Sequence, residues 1–217
     1  EFVINEILLT ELLELTNIRY IGTKLFDYLI TTPYKYGDYL VSFSPLLGYK
    51  HNNENLPMGS IFSIYKYNHD NTIVNGRNII FSCYCLFGYY TQLICADSTV
   101  NRYQLLDNKF VLMENNSRIK DVGNRYLLNE SKKNKWLDNR FIKMIDILIS
   151  KSYTLRWYDN YIINCHNIFV NGGFLSYPSD SKNINGKISI LFEAHPIAFI
   201  FEICGGYSSN GKISILD

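Results

Sequence analysis

Two apolar runs bracket a Pro/Gly loop in YLVSFSPLLGYKHNNENLPMGSIFSIY, residues 39–65. Tyr39 to Phe43 reads as a buried strand, and Ile61 to Tyr65 as a second. Pro45 breaks the first run and Gly48 turns the chain. The chain is thereby committed to a sheet with a loop at the end of a strand, a usual place for metal and phosphate chemistry. Yet the loop proper, Ser44 to Lys50, contains no carboxylate.

The other segments make the class mixed. Asn5 to Thr16 reads as a helix, because Leu8 with Leu12 and Leu9 with Leu13 are spaced by four. Glu6, Glu11 and Glu14 form its solvated face. Asn78 to Ala96 is long and apolar, and its periodicity leaves helix, strand or one of each open. YQLLDNKFVLM predicts a hairpin turning at Asp107-Asn108. Trp136, Phe141, Ile145 and Leu148 recur at helical spacing, and Asn164 to Val170 predicts another helix. Asn115 to Asn124 is a polar loop. The heptamer NGKISIL occurs at Asn185–Leu191 and again at Asn210–Leu216. Asn-Gly favours a tight turn and the β-branched residues a strand, so two similar hairpins are expected. Leu40, Phe43, Ile61, Ile64, Ile190 and Phe192 are expected as strand residues of one layered core.

At 217 residues with 47% apolar content, the chain buries a full core. A net charge of +1 gives no electrostatic case for nucleic acid or anionic membrane. No apolar run approaches the ~20 residues of a membrane span. The cysteines, Cys83, Cys85, Cys95, Cys165 and Cys204, sit in apolar stretches without a CxxC and read as buried free thiols. Their odd number argues against a secreted disulfide framework and for an intracellular place, cytoplasm or organelle matrix. His51, His69, His166 and His195 are scattered, and neither HExxH nor a nucleophile elbow is present.

Three segments carry a resemblance. They are NGKISILFEAHPIAFIFEICGGYSSNGKISILD, YTLRWYDNYIINCHNIFVNGGFLSYP and MGSIFSIY. In order and spacing they resemble the fructose-1,6-bisphosphatase and sedoheptulose-1,7-bisphosphatase family, and YTLR and GGYSSNGK lean toward the sedoheptulose branch. The resemblance implies an α/β, mixed α+β fold: one sugar-bisphosphatase-like domain over residues 1–217, the layered α-β-α-β-α sandwich. Its N-terminal and C-terminal edges are expected to be missing, since the family carries a region before the first helix and a closing strand and helix after GKISILD, and the chain starts at Glu1 rather than Met.

The family hydrolyses a sugar 1-phosphate with two or three Mg²⁺ ions held by carboxylates. By the resemblance, the two aspartates of its metal loop fall on Ser44 and Leu47, and the small hydroxyl that follows falls on Tyr49. The paired glutamates fall near Thr23, Lys24 and Leu25, and only Glu193 of LFEAHP keeps its carboxylate. Glu193 has an ordinary use as an ion-pair partner of Lys187 or Lys24. The substrate side is less eroded: Asn129, Arg156, Tyr177 and Lys187 match a residual sugar-phosphate site. Trp157, Lys132 and Ser189 replace a Tyr, a Tyr and an Arg of the family pattern.

The expected function is a catalytically degenerate member, a pseudoenzyme kept as an interaction or structural subunit. No cofactor is expected, and Mg²⁺ only in the rival reading. That rival is an active Mg-dependent sedoheptulose or fructose bisphosphate phosphatase, a phosphoric monoester hydrolase with relocated ligands. A sugar-phosphate sensor is the third reading, with a sugar phosphate or inorganic anion as ligand. The family forms dimers with the Arg156 region at the boundary. RWYDNY puts Trp157, Tyr158 and Tyr161 there, so a homo-oligomer or heteromeric complex is expected through this segment or the Tyr49 loop.

Overall fold

The computed structural model describes residues 1–67 and 75–217, with side chains except those of His51 and Asn52. The described chain forms two compact units, Glu1–Arg118 with Ile190–Asp217, and Ile119–Ser189.

The larger unit is built on one sheet. Its strands are β1 (Ile18–Thr23), β2 (Ile30–Thr31), β3 (Tyr39–Leu47), β4 (Met58–Lys66), β5 (Ile79–Phe87), β6 (Thr91–Ala96), β7 (Val100–Leu106) and β8 (Lys109–Glu114), in the order β2-β1-β3-β4-β5-β6-β7-β8. β1 and β3 are parallel and every other pair is antiparallel. The near-continuous apolar run of β3 follows from burial on both faces. Val41 and Phe43 join Leu12, Ile18 and Ile21 in one cluster, with Leu8 and Leu9 of helix α1 (Phe2–Leu13) packed against it. Leu40 points the other way and joins Tyr65, Ile79, Ala198 and Leu216 beside helix α4 (His195–Ile203). Glu6, Glu11 and Glu14 are exposed as expected, but so is Leu13, because the buried stripe of α1 runs through Asn5, Leu8, Leu9 and Leu12.

Asn78–Ala96 resolves into two strands, with alternate residues of β5 buried. The hairpin turn at Asp107 and Asn108 has φ of 47° and 61°, the left-handed pair that matches strand twist. The cysteines form no disulfide. Cys165 and Cys204 are buried, whereas Cys83, Cys85 and Cys95 are half-buried, a correction to the reading of five buried thiols.

Two strand expectations are corrected. β3 does not stop at Phe43. It runs through Ser44 and Pro45 to Leu47, because a bulge between Ser44 and Leu47 places the proline where no ladder bond is required. Ile190 and Phe192 are not strand residues. Ile190–Ala194 is a π-helical turn leading into α4, with Pro196 in the first turn of that helix. The two NGKISIL copies therefore diverge. Gly186 and Gly211 both take positive φ, 91° and 89°; the first copy opens on a turn closed by the Gly186 N–H to the Asn183 carbonyl, and the second is closed by the Ser209–Ser214 bridge.

The smaller unit holds a parallel sheet in the order β10-β9-β11, formed by β9 (Arg125–Leu127), β10 (Thr154–Leu155) and β11 (Phe174–Leu175). Helices α2 (Arg140–Ser150) and α3 (Tyr161–Asn171) accompany it. Phe141, Ile145 and Leu148 of α2 pack with Tyr126, Leu128 and Trp136, so the helical spacing marks a real face and Trp136 adds to it from outside the helix. Asn160 caps α3 by accepting a hydrogen bond from the Ile162 N–H.

Candidate functional site

In the larger unit, the site residues gather where the parallel pairing of β1 with β3 ends. Thr23 is the register partner of Phe43, and the Lys24 N–H donates to the Phe43 carbonyl at 3.1 Å. Lys24 and Ser44 therefore leave that pairing side by side, at the carboxyl ends where open sheets place ligands. Glu193 comes from the π-helical turn and is 3% exposed. Its Oε1 accepts a hydrogen bond from the Lys24 ammonium at 2.6 Å. Of the two pairings the sequence left open, this is the one formed.

Buried serines hold that turn in place. Ser42, Ser63 and Ser82 are register partners across β3, β4 and β5 and are fully buried. Ser42 Oγ lies 2.9 Å from Ser63 Oγ and donates to the Leu191 carbonyl at 2.9 Å. Tyr65 Oη donates to the same carbonyl at 3.1 Å, and Ser82 Oγ donates to the Pro196 carbonyl at 3.1 Å. Together these bonds anchor the turn carrying Glu193. Sequence reasoning missed this row. Its only local signal was a hydroxyl in the middle of each apolar strand.

The remaining positions offer little to a cation. Ser44 is fully buried and its hydroxyl has no hydrogen-bond partner among the described residues. Leu47 is 8% exposed and brings only hydrocarbon. Thr23 donates to Asn5 Oδ1 instead of facing outward. Tyr49 lies partly exposed, and the Glu1 carboxylate raises its phenol pKa above the ordinary range. Among the described residues, no three His, Cys, Asp or Glu side chains gather as a metal would require.

In the smaller unit, Asn129, Tyr177 and Lys187 line one cleft together with Lys132, Trp157 and Asp180. Arg156 is not among the lining residues. It is exposed, and its guanidinium donates to the Leu155 carbonyl at 3.0 Å. Of the four residues grouped from the sequence, Asn129, Tyr177 and Lys187 share this cleft and Arg156 lies outside it. Asp159 and Asp180 also line the cleft. Lys132 lies 3.6 Å from Asp180 and Lys187 lies 3.9 Å from Asp159, so each cleft ammonium faces a carboxylate. Tyr177 packs against Trp157 and Tyr161 at centroid distances of 5.1 and 5.5 Å, and its hydroxyl accepts from Asn164 Nδ2 at 2.8 Å. The cavity volume is about 30 Å³. At ~10–15 Å³ per water, that is room for about two waters.

The comparisons fit this geometry. Residues 119–217 match the family "Fructose-1-6-bisphosphatase, C-terminal domain". The chain is 30% identical over 233 aligned positions to the class 1 fructose-1,6-bisphosphatase of Pseudoalteromonas translucida, covering 100% of itself and 72% of that protein. This chain belongs to the fructose-1,6-bisphosphatase family. The class 1 member of Persephonella marina is 32% identical over 185 positions, with 82% of this chain and 58% of that one covered. The holo fructose-1,6-bisphosphatase of Leishmania major superimposes with a TM-score of 0.92 at 26% identity, over 100% of this chain and 73% of that one. The chain thus spans about 58% of the length of the first curated relative it matches.

Family membership sharpens the metal question. A magnesium ion takes oxygen ligands in near-octahedral array. Here Glu193 already holds an ammonium, Ser44 supplies one neutral hydroxyl and Leu47 supplies none. These residues do not fit a magnesium pair. No helix of the described residues is long and apolar enough to cross a membrane.

Asp180 gives the smaller unit a pH dependence. Asp180 is held down to about 2, chiefly by the Asn183 side-chain amide, then by the Asn183 and Lys182 N–H groups and the Lys132 ammonium, while burial opposes them. With a depressed folded pKa, its stabilisation is whole above the unfolded value of about 3.9 and lost as pH falls through about 2. In denaturant titrations, Asp180→Asn should therefore flatten the loss of stability across that window. Superimposable acid limbs for the two proteins would contradict this.

Proposed function

We propose that the chain is a catalytically degenerate member of its family, retained as an interaction or structural subunit of a larger assembly. The observation that carries this reading is the Lys24–Glu193 ion pair, which puts a fixed positive charge on the one surviving acidic position. Two dications about 4 Å apart repel by roughly 17 kcal/mol at an effective dielectric of about 20. A single carboxylate committed to a lysine does not offset that. Assembly is supported by aromatic surface in each unit: Tyr158 is 37% exposed next to the half-buried Trp157 in the smaller unit, and Tyr49 is 40% exposed in the larger. The sugar-phosphate sensor reading keeps one support, the shared cleft of Asn129, Tyr177 and Lys187.

Phosphate release and association test the proposal together. With Mg²⁺, release from fructose-1,6-bisphosphate and from sedoheptulose-1,7-bisphosphate should stay at background. It should stay there in Ser44→Asp/Leu47→Asp, because Lys24 remains. Metal-dependent turnover that disappears in Glu193→Gln would overturn the reading. In sedimentation, the chain should associate, and Trp157→Ala/Tyr158→Ala should weaken association with an unchanged circular dichroism spectrum. A monomer at micromolar concentration, mixed with extract or alone, would remove the assembly half.

A further inference from the structure

Three cysteines share one face of the β5–β6 hairpin. Cys83 and Cys95 are direct register partners, and Cys85 opposes Leu93. Directly opposed residues of an antiparallel pair have Cα atoms about 4.5–5.5 Å apart. That lies inside the ~4.4–6.8 Å range that a disulfide spans. Cys85 is only diagonal to Cys95, at roughly 7–8 Å. Cys95 also lines an open cleft of about 260 Å³ with Phe81, Asp97, Asn101 and Tyr103, so a small solute reaches its sulfur.

We propose that Cys83 and Cys95 form a reversible dithiol–disulfide site whose co-substrate is a small soluble disulfide of the glutathione class. The Cys95 thiolate attacks one sulfur of the incoming disulfide. The S–S bond breaks, one thiolate leaves, and Cys95 carries a mixed disulfide. Cys83 then gives up its proton to solvent and attacks the Cys95 sulfur, expelling the second thiolate. Two protein thiols are oxidised and one small disulfide is reduced to two thiols. The roles follow from access: Cys95 lines the open cleft and Cys83 does not. The neighbouring Cys83 thiol also lowers the Cys95 thiol pKa, against opposing burial and Asp97. Cys95, with burial, raises that of Cys83. The lower thiol is the attacking group and the higher one resolves. A bridge across adjacent, already hydrogen-bonded strands leaves little room to reach ideal torsions, which favours a labile bond over a permanent one.

The reduced full chain is treated with glutathione disulfide under native conditions, alkylated and peptide-mapped. The expected product is one intramolecular disulfide joining Cys83 to Cys95, lost on treatment with dithiothreitol. Cys83→Ser should stop at a mixed disulfide on Cys95, Cys95→Ser should give neither product, and Cys85→Ser should behave as the parent. Circular dichroism checks that each variant is folded. A parent chain with no crosslink, a crosslink through Cys85, or a mixed disulfide that persists on Cys95 would each overturn the proposal.

Discussion

Lys24→Met is expected to cost the larger unit about 1–3 kcal/mol, because it takes the ammonium away from a buried carboxylate. Glu193 is the partner left behind, with its side chain 4% exposed against 35% for Lys24. A domain of this kind has about 5–15 kcal/mol in total, so the loss is large. The informative comparison is the double variant Lys24→Met/Glu193→Leu. Removing both charges removes the desolvation cost with the attraction, and most of the stability should return. Urea denaturation of the four proteins gives the coupling as a double-mutant cycle. If Lys24→Met and the double variant lose equal stability, the ammonium does not neutralise Glu193 and the functional reading loses its support.

Gly173→Ala is expected to cost on the order of 3 kcal/mol or more in the smaller unit. Gly173 has φ of 115°, and a Cβ built on it lies 2.3 Å from the Arg125 carbonyl oxygen. That neighbour is backbone at the start of β9 and has no rotamer by which to yield. Gly123 approaches the same crossing, its Cβ meeting the Gly173 nitrogen at 2.2 Å. Gly186→Ala is the control. Its φ of 91° is equally left-handed, but nothing lies within 4 Å of an added Cβ. Conformational strain alone, about 1–2 kcal/mol, should be its whole effect. Equal denaturation midpoints for the two variants would show that the close approach is not what requires Gly173.

Local chemistry made much of the fold legible. Asp107-Asn108 between two alternating runs specified the β7–β8 turn, since a two-residue hairpin loop demands positive φ from both residues. The leucine spacing of α1 and the Phe141–Ile145–Leu148 stripe of α2 were readable because helix faces repeat within a few residues. The family motifs were also written in the chain itself, as was the absence of a carboxylate from Ser44–Lys50.

Contacts between distant residues decided the rest. The β-branched Lys187–Leu191 run has a strand's local preference. The turn starting at Ile190 is nevertheless π-helical, with Ser42 and Tyr65, 149 and 126 residues away, holding the Leu191 carbonyl. Lys24 reaches Glu193 across 169 residues because the pairing of β1 with β3 ends beside the turn that carries it, a placement no spacing rule encodes. The same limit placed Arg156 outside the cleft of Asn129, Tyr177 and Lys187, and set Cys83 directly opposite Cys95. Sequence alone determined the residue types and local periodicities, because these act between near neighbours. Register, packing and long-range hydrogen bonds decided which side chains met, because only the closed fold fixes the distances between them.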